Sequence, residues 1–168
     1  MTDKPTPRGA VDDDAIDLLA TDHDELSELF ERYDALAADG APADEREDLA
    51  EELCSLLLVH AALKEEIFYP AVREAIDDET LVDEALVALD SARSLVDEIE
   101  SGDPTEPRYD AQVRILHELV LQHFDEERTQ LFPKLRDSSL DLEELGAEMS
   151  ARQELLLSAH EDALGDAP

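Results

Sequence analysis

Two segments of this chain carry nearly the same pattern of reactive residues, 63 positions apart. His60 is followed by Lys64 and then by Phe68-Tyr69-Pro70 and Arg73, and His123 is followed by Glu127 and then by Leu131-Phe132-Pro133 and Arg136. A His and a Glu four residues apart lie on one face of a helix and present an imidazole and a carboxylate to the same metal ion. A His and a Lys at that spacing do not. The two copies therefore differ at the one position that decides whether they bind a cation.

The elements that must position these residues are legible from apolar spacing. A first helix from about Asp12 to Ala38 aligns Ile16, Leu19, His23, Leu26, Phe30 and Tyr33, and the loop Asp39-Gly40-Ala41-Pro42 ends it. A second aligns Leu49, Leu53, Leu56, His60, Leu63 and Ile67, opens on an Asp44/Glu47 capping box and is kinked or ended by Pro70. A third opens at Thr80 with Asp83 and buries Val82, Ala85, Leu86, Leu89, Ala92, Val96 and Ile99 before Ser101-Gly102-Asp103-Pro104. The fourth starts near Pro107 with the line Val113, Leu116, Val120, His123 and Glu127. A shorter fifth segment, capped at Asp141 with Glu144, is expected to pack outside. Four long helices joined by short loops predict an all-α, up-down-up-down four-helix bundle with an extra C-terminal helix. The expected organisation is a tail over residues 1–10, the bundle over 11–137 and the C-terminal helix over 138–168.

Helical rise then sets the depth of the histidines. His23 precedes the first loop by 16 residues and His60 follows Asp44 by 16, which puts both about 24 Å below that loop. His123 stands as far before Pro133 as His60 does before Pro70. Three imidazoles and the Glu127 carboxylate at one level of an apolar bundle make a transition-metal site. A buried Glu127 also needs a positive partner. Either a metal or Lys64 meets that need, and Lys64 alternatively extends its ammonium to solvent along apolar surface. His117 reads as a flank residue beside the inner line, His160 lacks a partner at helical spacing, Cys54 reads as a small buried hydrophobe, and Tyr33, Phe68 and Phe132 read as core.

Composition bounds what such a site serves. The chain has 168 residues, 46 acidic against 13 basic side chains and a formal charge of -33. Such a surface repels nucleic acid and anionic membranes and suits a high-salt, halophilic interior where counterions screen self-repulsion. A single cysteine excludes an internal disulfide, no apolar run approaches a membrane span, and MTDKPTPRGA lacks a signal-peptide core. A cytoplasmic protein is expected.

With these residues in place, the chain resembles the hemerythrin-like (HHE cation-binding) family over about residues 15 to 136. Asp22-His23, HAALKEEIFYP at 60–70 and HFDEERTQLFP at 123–133 carry the resemblance, and LDLEELGAEMSARQELL resembles the tail of some members. The resemblance implies two irons, held by one His on the first helix, His-x-x-x-Glu on the second, one His on the third and His-x-x-x-Glu on the fourth. His23, His60, His123 and Glu127 match those positions. Lys64 stands in place of the bridging Glu, and Leu89 in place of the third-helix His. Glu65 and Glu66 point away, and Asp90 lies about 100° off the inner line.

The expectation is a broken two-iron site that binds at most one metal ion, with iron the implied cation. A binding protein in iron or oxygen handling or in sensing is expected, not an enzyme. The alternative is a metal-free bundle acting as a structural or interaction module, with a protein partner the sequence does not identify. Ferritin-like redox chemistry is disfavoured, because no histidine has a Glu three residues before it.

Overall fold

The structure, a computed structural model, describes residues 13–165. The residue 1–10 tail and Asp12 lie outside the described residues. Helix α1 (Ala15–Ala38) starts where the Asp14 carboxylate accepts the Asp17 amide at 2.9 Å, and it stops at Asp39-Gly40, where Gly40 takes φ +67°. Glycine suits that turn because a Cβ is unfavourable at positive φ. Helix α2 (Ala43–Leu63) runs through a π-helical turn (Lys64–Phe68) into α3 (Tyr69–Ala75). Helix α4 (Glu79–Glu100) follows, then α5 (Pro107–Glu126), which passes through a second π turn (Glu127–Leu131) into α6 (Phe132–Arg136). Helix α7 (Leu142–Gly165) closes the chain. No strand occurs among the described residues.

The two π turns share a cause. Proline lacks an amide hydrogen and its ring crowds the carbonyl four residues earlier. Pro70 and Pro133 place that conflict at Glu66 and Thr129, inside the two widened turns. The chain passes each proline as a bulge in a continuing helix. Lys64 and Glu127 are the first residues of the two bulges.

Helix α1 packs on α2 and α5, and α4 on α5 and α2, which closes the four-helix square. Two apolar clusters fill it. One holds Leu26, Phe30, Tyr33, Leu53, Val96, Ile99 and Leu116, and the other holds Ala15, Leu19, Leu63, Phe68, Val82, Leu89 and Leu131. Between them on three of the four long helices lie the buried polar residues His23, His60, Lys64, His123 and Glu127. Helix α4 contributes Leu89 and Ala92 where the clusters meet, so its wall of that layer is apolar.

Several sequence expectations are corrected. Helix α2 starts on Pro42 with no side-chain cap, not on an Asp44/Glu47 box. Helix α4 is capped by Asp78, which accepts the Leu81 amide at 3.1 Å, so the expected cap Thr80 lies inside the helix, and Asp83 pairs with Arg73 at 2.8 Å. Leu57 is buried where Leu56 was expected, and Ile67 is half-buried. The fifth segment does start on Asp141, which accepts the Glu144 amide at 3.0 Å. It spans 24 residues, as long as α1, and lies over α1 and α2. Its Leu145 and Met149 are buried, and Gly146 allows the close approach: a Cβ there would lie 2.8 Å from the backbone at Asp13–Ala15.

Candidate metal centre

The five side chains of the polar layer arrive from three helices and the π turns that continue two of them. Helix α1 supplies His23, α2 His60, α5 His123, and the two π turns Lys64 and Glu127. Lys64 has no exposed surface and pairs its ammonium with Glu127 Oε1. Its Nζ also lies 3.0 Å from His123 Nε2. The His123 ring approaches Glu127 Oε1 at 2.6 Å, and the Tyr69 hydroxyl lies 3.1 Å from His123 Nε2. Of the two readings left open for Lys64, the structure takes the inward one. Two π turns bring its ammonium and the Glu127 carboxylate together in the core.

The other half of the layer is different. His23 stacks on Phe124 with ring centroids 3.6 Å apart and meets the His60 ring edge-on at 5.2 Å. His60 Nδ1 lies 3.2 Å from Asp22 Oδ2, and the Gln153 amide of α7 donates to both Asp22 oxygens at 3.2 Å. Among the described residues, three buried side-chain atoms have no hydrogen-bond partner: His23 Nε2, His60 Nε2 and Glu127 Oε2. Buried polar atoms are almost always satisfied, so three orphans in one layer require an explanation.

Burial and mutual charge set the protonation of these groups. Burial first, and the neighbouring His60 and Lys64 next, hold His23 down at about 2. Burial and the Lys64 charge likewise lower His60, against the pull of Asp22. Burial pushes the Glu127 carboxyl up, but the attraction of Lys64 and the His123 hydrogen bond outweigh it and leave Glu127 below the usual carboxylate range. Burial pulls Lys64 below the usual lysine range while Glu127 pulls it back. Neutral imidazoles and an ionised carboxylate are the states that ligate a metal.

Fit to a cation can be judged from these atoms. Two imidazole nitrogens and a carboxylate oxygen, all bare, are the donor chemistry of a single transition metal. Lys64 and Leu89, also at this layer, offer an ammonium and an apolar side chain and no anionic donor. Among the described residues no group of three or more His, Cys, Asp or Glu side chains is gathered as a ready metal cluster. Within the same layer the Lys64 ammonium takes Glu127 Oε1 and contacts His123.

Residues 14–135 match the sequence profile of the hemerythrin HHE cation-binding domain. The chain belongs to the hemerythrin HHE cation-binding family. Among solved structures it is similar to a hemerythrin HHE cation-binding domain-containing protein from Mycobacterium kansasii, at 23% identity and a TM-score of 0.75 over 92% of this chain and 93% of that one. The shared fold is an all-helical bundle. A curated protein from Nostoc sp. described as a DNA nickase is 28% identical in an alignment of 140 positions that covers 80% of this chain but 38% of that protein. The HHE chain thus spans well under half the length of that relative.

The remaining sequence candidates are accounted for by packing. His117 stacks on Phe30 at 4.5 Å and lies 3.1 Å from Asp34, while His160 sits half-exposed on α7. Burial pushes the free Cys54 thiol up to about 12, which leaves it inert. Among the described residues no helix is long and apolar enough to cross a membrane.

Sequence reasoning missed Asp22 as a partner of His60, Tyr69 as a neighbour of His123, and Gln153. For Tyr69 a signal existed, since the repeats read Phe-Tyr-Pro against Leu-Phe-Pro and only one has a hydroxyl. Asp22 had a weak signal as the residue beside His23. Gln153 had none, because its contact depends on how α7 docks.

Proposed function

We propose that this HHE protein binds a single transition-metal ion, iron, through His23, His60, His123 and Glu127, and serves in iron or oxygen handling or in sensing. The supporting observation is the trio of orphaned buried atoms, His23 Nε2, His60 Nε2 and Glu127 Oε2. A cation satisfies all three together. Lys64 holds the other oxygen, Glu127 Oε1, and lies 3.0 Å from His123 Nε2, so the cation meets Glu127 at its bare Oε2 and gains His123 only as the ammonium moves aside. Bound iron supplies redox and Lewis-acid chemistry. The chain's own residues hold neutral imidazoles and an ionised carboxylate in a buried layer and keep a second positive charge beside them. Reversible oxygen carriage by an iron pair has no support in a layer with Lys64 and Leu89 at two of its expected ligand positions.

The proposal is of a binding protein rather than a nuclease, since a formal charge of -33 opposes approach to DNA. A second reading rests on a different observation. Lys64 is fully buried and paired with Glu127, which suits a metal-free bundle whose ammonium replaces the cation permanently. Elemental analysis after anaerobic loading with ferrous iron and desalting separates the two. One iron per chain is the expected result, two would overturn the single-site proposal, and none would favour the metal-free module.

A further inference from the structure

The contact that reaches furthest beyond the metal layer runs from α7 into the bundle. Gln153 Nε2 donates to both oxygens of Asp22 at 3.2 Å, and Asp22 Oδ2 lies 3.2 Å from His60 Nδ1. Gln153 lies beyond the residues matched by the HHE family, 14–135. His60 is buried, and its second nitrogen, Nε2, has no partner.

We propose that Gln153 is a positioning residue: through Asp22 it fixes the tautomer and the ring orientation of His60, so that docking of α7 presets the bare Nε2. The part concerning metal affinity rests on the single-cation reading above; the tautomer does not.

The chemistry follows from donor and acceptor capacity. A carboxylate only accepts, so a neutral His60 facing Asp22 must carry its proton on Nδ1. Its lone pair then lies on Nε2, away from Asp22. This is the carboxylate–histidine arrangement that orients metal-binding imidazoles in general.

Asp22 needs holding because it borders a cavity of about 710 Å³ between α1, α2 and α7, lined also by Thr21, Glu25, Ser150 and Gln153. An unrestrained carboxylate there rotates toward water. One amide donating to both oxygens holds the carboxylate plane toward His60. Leu145 and Met149, buried, and Gly146, in close approach to the start of α1, fix the helix that carries Gln153. The Arg152–Glu66 ion pair at 2.9 Å adds a tie one residue away.

The test uses the full chain in two arms. In the first, long-range proton–nitrogen NMR of the metal-free protein reads the His60 imidazole. Wild type is expected to show Nδ1-H with a bare Nε2, Gln153→Leu a mixture of tautomers, and Asp22→Leu the same mixture. The double variant should add nothing further, since both act on one ring. An unchanged Nδ1-H signal in Gln153→Leu, with helical content retained by circular dichroism, would overturn the proposal.

In the second arm, anaerobic titration with ferrous iron should show affinity about tenfold weaker in Gln153→Leu than in wild type. Unaltered affinity would overturn the metal-positioning part. If wild type takes up no iron, the single-cation reading fails, and the tautomer arm alone decides the role of Gln153.

Discussion

Lys64 is the residue on which the proposed single-cation site turns. Its ammonium is buried with no exposed surface and neutralises Glu127 from inside the core. Removing one member of such a pair strands the other charge, at a cost of about 3–5 kcal/mol. Lys64→Met is therefore expected to destabilise the metal-free protein by that order in urea unfolding. The same variant should bind ferrous iron more tightly than wild type, because the competitor for Glu127 is gone, and iron should restore much of the lost stability.

The histidines add a pH dependence of definite sign. His23 titrates at about 2 in the fold and near the ordinary value of about 6.5 when unfolded. Its contribution is complete above about 6.5 and is lost as pH falls toward the folded value. Glu127, also depressed in the fold, acts in the same direction once pH enters the carboxylate range. Unfolding free energies of the metal-free protein, measured across pH 7 to 4, should fall toward acid. In His23→Phe that fall should be shallower.

At the scale of elements, the π turns and α7 decide what the site contains. Pro70 and Pro133 each force a widened turn, and the residues that open those turns are the two that pair. Helix α7 closes on α1 through Gly146, where a Cβ would meet backbone at 2.8 Å. Ala in place of Gly ordinarily favours a helix by roughly 1 kcal/mol. Here the sign reverses, because the nearest atoms are main chain and cannot step aside. Gly146→Ala is expected to lower stability by about 1–3 kcal/mol and to speed amide exchange along α7, as read by hydrogen-exchange mass spectrometry.

Across the whole molecule, like-charge repulsion is what the surface must contend with. A formal net charge of -33 is spread along the chain, and ion pairs such as Arg73–Asp83 and Lys134–Asp78 offset little of it. Self-repulsion of this kind is screened by salt. The melting temperature is expected to rise steadily as sodium chloride is raised from low to molar concentration; an unaltered melting temperature would show that the acidic excess does not govern stability. The buried Lys64–Glu127 pair lies beyond the reach of that screening, so the effect of Lys64→Met should persist at high salt.

The sequence by itself determined the bundle, because helix periodicity, scarce glycine and short polar loops are local properties of the chain. It also placed His23 and His60 at one level, since rise per residue is the same in every helix, and their rings meet at 5.2 Å. The side chains on the inner lines of α1 and α5 are all buried as the spacing requires. Cap identities at Pro42 and Asp78 were not legible, because Asp44 and Thr80 offer good capping chemistry two residues further on, and both lie inside their helices.

Only the tertiary structure decided where the Lys64 ammonium goes. A lysine stem reaches either solvent or core from the same backbone position, and the outcome depends on Glu127 from another helix. It alone supplied Asp22, Tyr69 and Gln153 as neighbours of the histidines, because hydrogen bonds between residues far apart in the chain follow from how helices dock. The buried polar residues His23, His60, His123 and Glu127 could be named from sequence; which of their atoms are satisfied and which stand bare was settled by packing.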